Sequence, residues 1–513
     1  MKKKHIILLT AISLLAASVF AAEQKEEATK VLLPDTTTLL LSYVENDSEL
    51  KNLTISAKKT ALSYKSTMID SGFDVTLSSG SITLQTSDDG SKLTARPSVK
   101  AKVPQLSNLS VTGQTNYSND TTQTAAAKSS DSDDSNFSDT SISVGVDIIS
   151  SSTLSNKITK LKAERSVEEA QRKIEKRAIA AEKEFYTELK KLLSSISSII
   201  SKQEKYYSDS VDFEAKKIQG YSKSSSTYRQ AELKVRSDEQ DVQSALHSFI
   251  YDCVVFYKKC GFDISIDENV DLMSLVPSDI EAVEPVDVTT LDKELYTEIE
   301  SANWTYTINS MERKTKKNYS LSANAGYTFD NSSTKSDSVD AGLSGTYGGV
   351  TASAGVSFPV NEKETTTSGT GAMGGSSKSS SSPTYTFSLT ITPNTFRKNS
   401  ITKQTNELTE EQELLSIEAA ESKYETKVVE LQQKLDTLLW EKESAEKNLT
   451  MYQDLESDMS KLYSQGYVSQ TEYLSSRNNL NSNIIKKVSN LIDLIIYNDD
   501  VISNFVSEKF EVK

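Results

Sequence analysis

The chain has 513 residues and a formal net charge of −15, with 25% charged and 36% hydrophobic residues. So acidic a balance excludes the Lys/Arg clusters that neutralise phosphates, and with them a nucleic-acid partner. There are two histidines and two cysteines, and His5 lies in the segment read below as a signal. The remaining His247, with no partner histidine, cannot build a metal site of the usual kinds, so neither metal nor cofactor is expected.

The N-terminus reads as a secretory signal. Lys2, Lys3 and Lys4 form its charged region, Ile6 to Ala17 its apolar stretch, and Val19-Phe20-Ala21 a small-residue cleavage site before Ala22. Residues 1–21 are expected to be removed. The three lysines go with them, which takes the charge from −15 to about −18. No Cys follows the apolar stretch, which speaks against an N-terminal lipid anchor. No later segment holds 18 consecutive apolar residues. A chain exported in this way is either soluble or crosses a membrane as a β-barrel.

Residues 36–70 read as a helix, with Leu39, Leu50, Leu53, Ala57, Ala61, Tyr64 and Met68 on one side and an interruption at Asn46–Leu50. Gly72 ends it. The apolar period then changes to two. Residues 73–103 alternate weakly around a turn at Asp89-Gly90. Pro97 and Pro104 argue against central strands there, so this reads as an extra hairpin region. Leu109, Val111, Gly113, Thr115 and Tyr117 predict one strand, and Ile142, Val144, Val146 and Ile148 another, joined by the polar stretch Thr121–Asp139.

A long helix follows. Leu154 to Gln219 contains no Pro or Gly over 66 residues, roughly 99 Å at helical rise. Phe185, Leu192, Ile199, Tyr206 and Phe213 recur every seven, with Leu189 and Ile196 between them, as in a left-handed supercoil. The chain folds back at Gly220 into a shorter helix over about 222–260. That helix carries His247, Cys253 and Cys260. No nucleophile-elbow motif accompanies His247, so it reads as an ordinary helical polar residue. The cysteine spacing leaves open both a disulfide and two buried thiols. Residues 262–292, with Pro277 and Pro285, read as a linker.

The second half repeats this order. Leu321–Phe329, Val339–Tyr347, Val350–Phe358 and Tyr385–Ile391 alternate cleanly, and Gly348-Gly349 is a hairpin signal. Residues 361–382 are rich in Gly, Ser and Thr and should be mobile. A second long helix runs from about Thr395 to Gln465. On it Val428, Leu435 and Leu449 alternate with Leu431, Leu438, Ala445, Tyr452 and Met459. A turn at Gly466 leads to a closing helix over about 468–506. Matching positions (Val144 and Phe387, Ile158 and Ile401, Gly220 and Gly466, Tyr228 and Tyr473) lie 243 to 246 residues apart. A repeat this long is a duplicated half-protein rather than a solenoid unit. It divides the chain into residues 1–21 (signal), 22–261 (first repeat), 262–292 (linker) and 293–513 (second repeat).

In that duplicated order, and in the segments Gly220-Tyr221-Ser222…Tyr228-Arg229-Gln230-Ala231-Glu232-Leu233 and Tyr463–Leu474, the chain resembles the TolC-like outer-membrane efflux proteins. The resemblance covers nearly the whole chain after the signal. It implies an α+β membrane protein. Three protomers would share one β-barrel, continuous with a long coiled-coil α-barrel. Each protomer would supply four strands, or six if the Gly348-Gly349 hairpin lies in the wall.

It also implies a passive exit duct of an efflux or type I secretion system in the outer membrane, reaching into the periplasm. Its partners would be a homotrimer, outer-membrane lipid, a periplasmic adaptor and an inner-membrane pump. The tip turns Gly220-Tyr221 and Gly466-Tyr467 would meet the adaptor. Tyr463 falls at a gate tyrosine and Glu472 at an acidic constriction position. Val468 departs from an expected Arg, and Ser475 from a second acid. For Tyr463 and Glu472 the ordinary reading, a coiled-coil seam residue and a solvated acid, stands beside the gate reading. The alternative function is an exported coiled-coil and β adhesin, against which the duplication and the paired fold-back turns speak. No catalytic residue is expected.

Overall fold

A computed structural model describes residues 34–87, 90–104, 108–120, 137–149, 152–266, 270–315, 319–329, 337–360 and 382–510. The segment 1–21 read as a signal, the polar stretch 121–136 and the Gly/Ser/Thr-rich segment 361–381 lie outside them.

Seven α-helices are described: α1 (Thr36–Asn46), α2 (Ser48–Asp70), α3 (Ser152–Ile218), α4 (Ser226–Lys259), α5 (Thr297–Thr315), α6 (Pro393–Ser464) and α7 (Gln470–Ser503). Ten strands accompany them: β1 (Asp74–Ser78), β2 (Thr83–Ser87), β3 (Gly90–Ala95), β4 (Ser98–Val103), β5 (Leu109–Asp120), β6 (Phe137–Ile149), β7 (Tyr319–Phe329), β8 (Ser338–Tyr347), β9 (Val350–Pro359) and β10 (Thr384–Ile391). Between the halves the chain is irregular, with short 3-10 turns at Leu272–Leu275, Val288–Thr290 and Lys293–Leu295. The side chains of Asp271, Asp287 and Asp292 cap these turns. The chain divides into two compact units. One gathers the chain through Ala57, Glu169–Glu300 and Ala420–Lys509; the other gathers Lys58–Glu168, Ser301–Ala419 and Phe510–Lys513.

The first unit is helical. Its main core joins Leu39 and Tyr43 of α1 and Phe185, Leu189, Leu192, Ile196 and Ile199 of α3 to Phe249, Cys253 and Phe256 of α4 and Ile485, Val488 and Ile492 of α7. These heptad residues of α3 are buried there together with Tyr186, Leu193 and Ile200. A second core sets Leu431 and Leu438 of α6 against Leu494, Tyr497 and Val501 of α7 and Val286 and Val288 of the linker. Helix α7 therefore packs on two sides, which fits its apolar run Leu494–Tyr497. The break between α1 and α2 falls at Asp47, whose side chain accepts from Leu50 N at 2.5 Å and also pairs with Arg177. Arg172 holds Glu300 through two bonds of 2.9 and 3.3 Å. Cys253 and Cys260 are free, buried thiols. Burial pushes each up to about 12.

The second unit carries one antiparallel sheet of ten strands, more than the four or six expected. The difference lies in residues 74–103. β3 and β4 both pair with β5, along its two ends; β2 pairs with β3 and β1 with β4. β1–β2 and β3–β4 are thus two full-length strand positions, each broken once. The breaks face each other. Gly80 has φ +65°, and a Cβ there would lie 2.1 Å from Arg96 O. Pro97 supplies a carbonyl that accepts from Thr115 N at 3.1 Å, so its missing N–H costs the ladder nothing at this break. Counted this way the sheet is an eight-position meander, four positions from each half. In the second half the Gly348-Gly349 turn closes β8 to β9, and Thr392 N donates to Gly349 O at 2.7 Å.

Cross-strand partners share a face, so the register sorts the residues. One row runs Val75, Ala101, Val111, Val144, Ala325, Ala341, Val356, Tyr385. The next runs Leu77, Val99, Gly113, Ile142, Tyr327, Val339, Phe358. On the opposite face a row reads Thr76, Lys100, Thr112, Ser143, Gly326, Asp340, Ser357, Thr384. The apolar face stays open to solvent in the single chain: Leu77 is 75% exposed, Ile142 59%, Phe387 80% and Leu389 67%.

Candidate functional site at the hairpin tips

The two hairpins end in the same backbone device. After α3, Gly220 N donates to Lys217 O at 3.1 Å and Tyr221 N to Lys216 O at 3.3 Å. After α6, Gly466 N donates to Tyr463 O and Tyr467 N to Leu462 O, each at 2.9 Å. Both are Schellman caps, and both glycines adopt the left-handed conformation the motif needs, at φ +80° and +77°. A serine then opens each returning helix. Ser225 accepts from Tyr228 N, and Ser469 from Glu472 N. The first turn is two residues longer between glycine and serine.

Each tip carries an aromatic pair. Phe213 and Tyr228 meet edge-on at 5.1 Å, buried with Ala231, and Lys217 Nζ lies 4.2 Å from the Phe213 ring centre. Tyr463 stacks on Tyr473 at 5.0 Å with planes 6° apart, and Tyr473 Oη donates to Glu456 Oε1 at 3.4 Å. Tyr221 and Tyr467 project outward, 45% and 76% exposed. Each tip thus carries one exposed tyrosine ring with an apolar body and a polar hydroxyl.

Glu472 completes a reciprocal cap. Its Oε2 accepts from Ser469 N and from Ser469 Oγ, each at 2.8 Å. The Ser469 backbone bond, then its hydroxyl, holds the Glu472 carboxyl below the usual carboxylate range. Glu472 is therefore an ionised group fixed by its own turn. The spacing Ser469-x-x-Glu472 is the capping-box signature visible in the sequence. Of the expected site residues, Tyr463, Gly466, Tyr467 and Glu472 come together in the second turn, and Gly220 and Tyr221 sit in the first. Asn478 Nδ2 and Glu204 Oε2, 3.4 Å apart, link the hairpins behind the tips.

Sequence reasoning also missed the acids buried between helices. Asp238 is 3% exposed and pairs with Lys205; nearby Asp209 accepts from Lys234 Nζ at 2.6 Å. Asp499, 8% exposed, leaves Oδ2 without a hydrogen bond. Burial first, then Glu182 and Asp500, pushes its carboxyl up to about 9, against Lys183. Acids recur along all these helices, so no spacing marks the buried ones. Among the described residues no group of His, Cys, Asp and Glu could hold a metal, and no helix is long and apolar enough to cross a membrane.

Sheet and tips together define an α+β protein of two tandem repeats, each a helix, a four-position antiparallel meander and a long helical hairpin. Residues 39–280 match the TP096X N-terminal domain and residues 281–508 the TP096X C-terminal domain, so the chain carries both domains of that family in order. No curated protein matches the sequence. Among solved structures it is similar to the open-state MtrE outer membrane channel of Neisseria gonorrhoeae, at 11% identity and TM-score 0.46, covering 95% of each chain. It is similar to a membrane protein of Pseudomonas aeruginosa at 12% identity and TM-score 0.43, covering 94% of this chain and 100% of the other. It is also similar to the Campylobacter jejuni CmeC outer membrane channel at 13% identity and TM-score 0.40, covering 96% and 92%.

Proposed function

We propose that this protein is a TolC-like exit duct of the outer membrane, a passive conduit opened at its periplasmic tip by an adaptor and an inner-membrane pump. The observation that carries the reading is the sheet. One apolar row runs across all eight strand positions and a second across seven, open to solvent in the single chain, while the opposite face is Thr, Ser, Asn, Asp, Gly and Lys. A contiguous exposed apolar face marks a membrane or protein contact. A wall apolar outside and polar inside is what a lipid-embedded β-barrel requires.

Self-association into a homotrimer would close the wall and cover a stripe on α6. Val429, Trp440, Met451 and Leu462 recur every eleven residues on that helix and stay exposed, Trp440 at 68%. An eleven-residue spacing keeps such a stripe on one side of a nearly straight helix. Two repeats, 22–261 and 293–513 about the linker 262–292, would then give each protomer two hairpins. The tips at Gly220-Tyr221 and Gly466-Tyr467 would meet the adaptor. Tyr463 and Glu472 would line the constriction, where a ring of fixed carboxylates favours cations.

Reconstitution in planar bilayers tests this. The wild type should form channels with cation preference. Glu472→Gln removes the charge and should lower that preference about twofold or more, an order-of-magnitude expectation for a charged ring; Glu472→Ala should in addition raise single-channel conductance. Channels whose selectivity and conductance ignore both substitutions would remove Glu472 from the gate. A chain that forms no channel would contradict the duct.

A further inference from the structure

The ten strands leave two edges in the described sheet, the broken position β1–β2 on one side and β10 on the other. Every residue of β1 and every residue of β10 is exposed. Natural edges are guarded by lysines, prolines, bulges or covering segments. β10, Thr-Tyr-Thr-Phe-Ser-Leu-Thr-Ile, has no charge and no proline, and β1 has only Asp74 at its start. Both edges also present aligned apolar side chains on the same face: Val75 and Leu77 with Leu84 of β2, and Tyr385, Phe387 and Leu389. Such edges in lipid demand partners, because nothing there satisfies free backbone groups.

The parity of the sheet decides what the partner is. Adjacent strands run antiparallel along the whole path β1-β4-β5-β6-β7-β8-β9-β10. With an even number of positions, β1 and β10 point in opposite directions. A rotated copy therefore offers its β1 antiparallel to this chain's β10, and the pairing repeats around a ring until it closes. β5 cannot serve as that edge. Its two sides are taken by β3 and β4 and by β6.

Resting on the duct reading, we infer that β10 of one chain pairs with β1 of a second copy, so that residues 74–103 are part of the barrel wall and each chain supplies eight strand positions. A ring of three then holds twenty-four. Since barrel diameter grows roughly linearly with strand number, the barrel is about twice as wide as one built from four strands per copy. The broken first positions keep the apolar face continuous, so the lipid-facing band has no gap at the seam.

Cysteine pairing in isolated outer membranes tests the seam. Val75→Cys or Leu77→Cys is combined in turn with Tyr385→Cys, Phe387→Cys and Leu389→Cys, which covers the alternative registers. The native thiols are buried and stay out of the reaction. Oxidation should give a reducible ladder of linked copies from at least one pair, and none from the control Val111→Cys with Phe387→Cys. A ladder from the control, a link confined to single chains, or no link from any pair would overturn the seam while leaving the membrane duct in place. Absence of the wild type from the outer-membrane fraction would overturn the duct itself. Imaging of wild-type particles needs no variant: a barrel only as wide as four strands per copy allow would also refute the seam.

Discussion

Asp499 shows how a single residue tunes the helical unit. Its carboxyl is pushed up to about 9 by burial, with Glu182 and Asp500 adding to the effect, whereas an unfolded Asp titrates near about 4. Between those values the folded chain holds a proton that the unfolded chain has released. Stability therefore falls as pH rises from about 4 to about 9, by at most about 1.4 kcal/mol per unit. Asp499→Asn keeps the shape and removes the titration. It should stabilise the unit at pH 8 by a few kcal/mol, about 2–4 on this linkage, and flatten the dependence of Tm on pH. An unchanged slope would mean that Asp499 is ionised in the fold. The tip residues work differently. Glu472 is exposed and ionised, Gly466 and Gly220 have open space where a Cβ would sit, and only backbone strain reserves those positions for glycine.

At the scale of elements, the long helices are legible because no Pro or Gly interrupts them and their heptads run over many turns, with one lapse at Lys442 on α6. Phe185, Leu192 and Ile199, read as the α3 seam, are buried in the main core. The same period found Leu431 and Leu438 on α6. The strands of the second half were legible for a similar reason, since strict alternation survives over ten residues in β8 and β9. In the first half, residues 73–103 show in the sequence only as a weak extra hairpin and not as two positions within the sheet. Gly80 and Pro97 cut them into pieces of five or six residues, and a proline in a short run argues against a strand when the break it occupies is not yet known. The buried acids and the tyrosine stack are tertiary facts with no local signature.

Helix α6 also carries the eleven-residue stripe, which a seven-residue template passes over. Trp440→Glu tests its purpose. Because Trp440 is 68% exposed, the substitution should move the stability of the isolated chain by no more than about 0.5 kcal/mol. It should nevertheless convert the extracted assembly into single chains, read by light scattering. Assembly that tolerates the charge would place the stripe away from any subunit contact.

For the molecule as a whole, the duplicated order was read from sequence spacing, and the described elements follow it in both halves: helix, strands, long helix, glycine turn, returning helix. Duplication explains why the sheet has an even number of positions, and evenness lets identical copies join edge to edge. An open sheet with one apolar face is unsuited to water, and long amphipathic helices with an uncovered stripe are incomplete alone. The proposed closed ring of copies, with lipid around the strands, would remove both shortcomings together. The measurement that tests this most directly is imaging of the protein extracted by detergent from the outer-membrane fraction. The account predicts hollow particles with threefold symmetry and a tube on the order of 100 Å, the length that the helix rise requires. Soluble monomers or solid rods would contradict it.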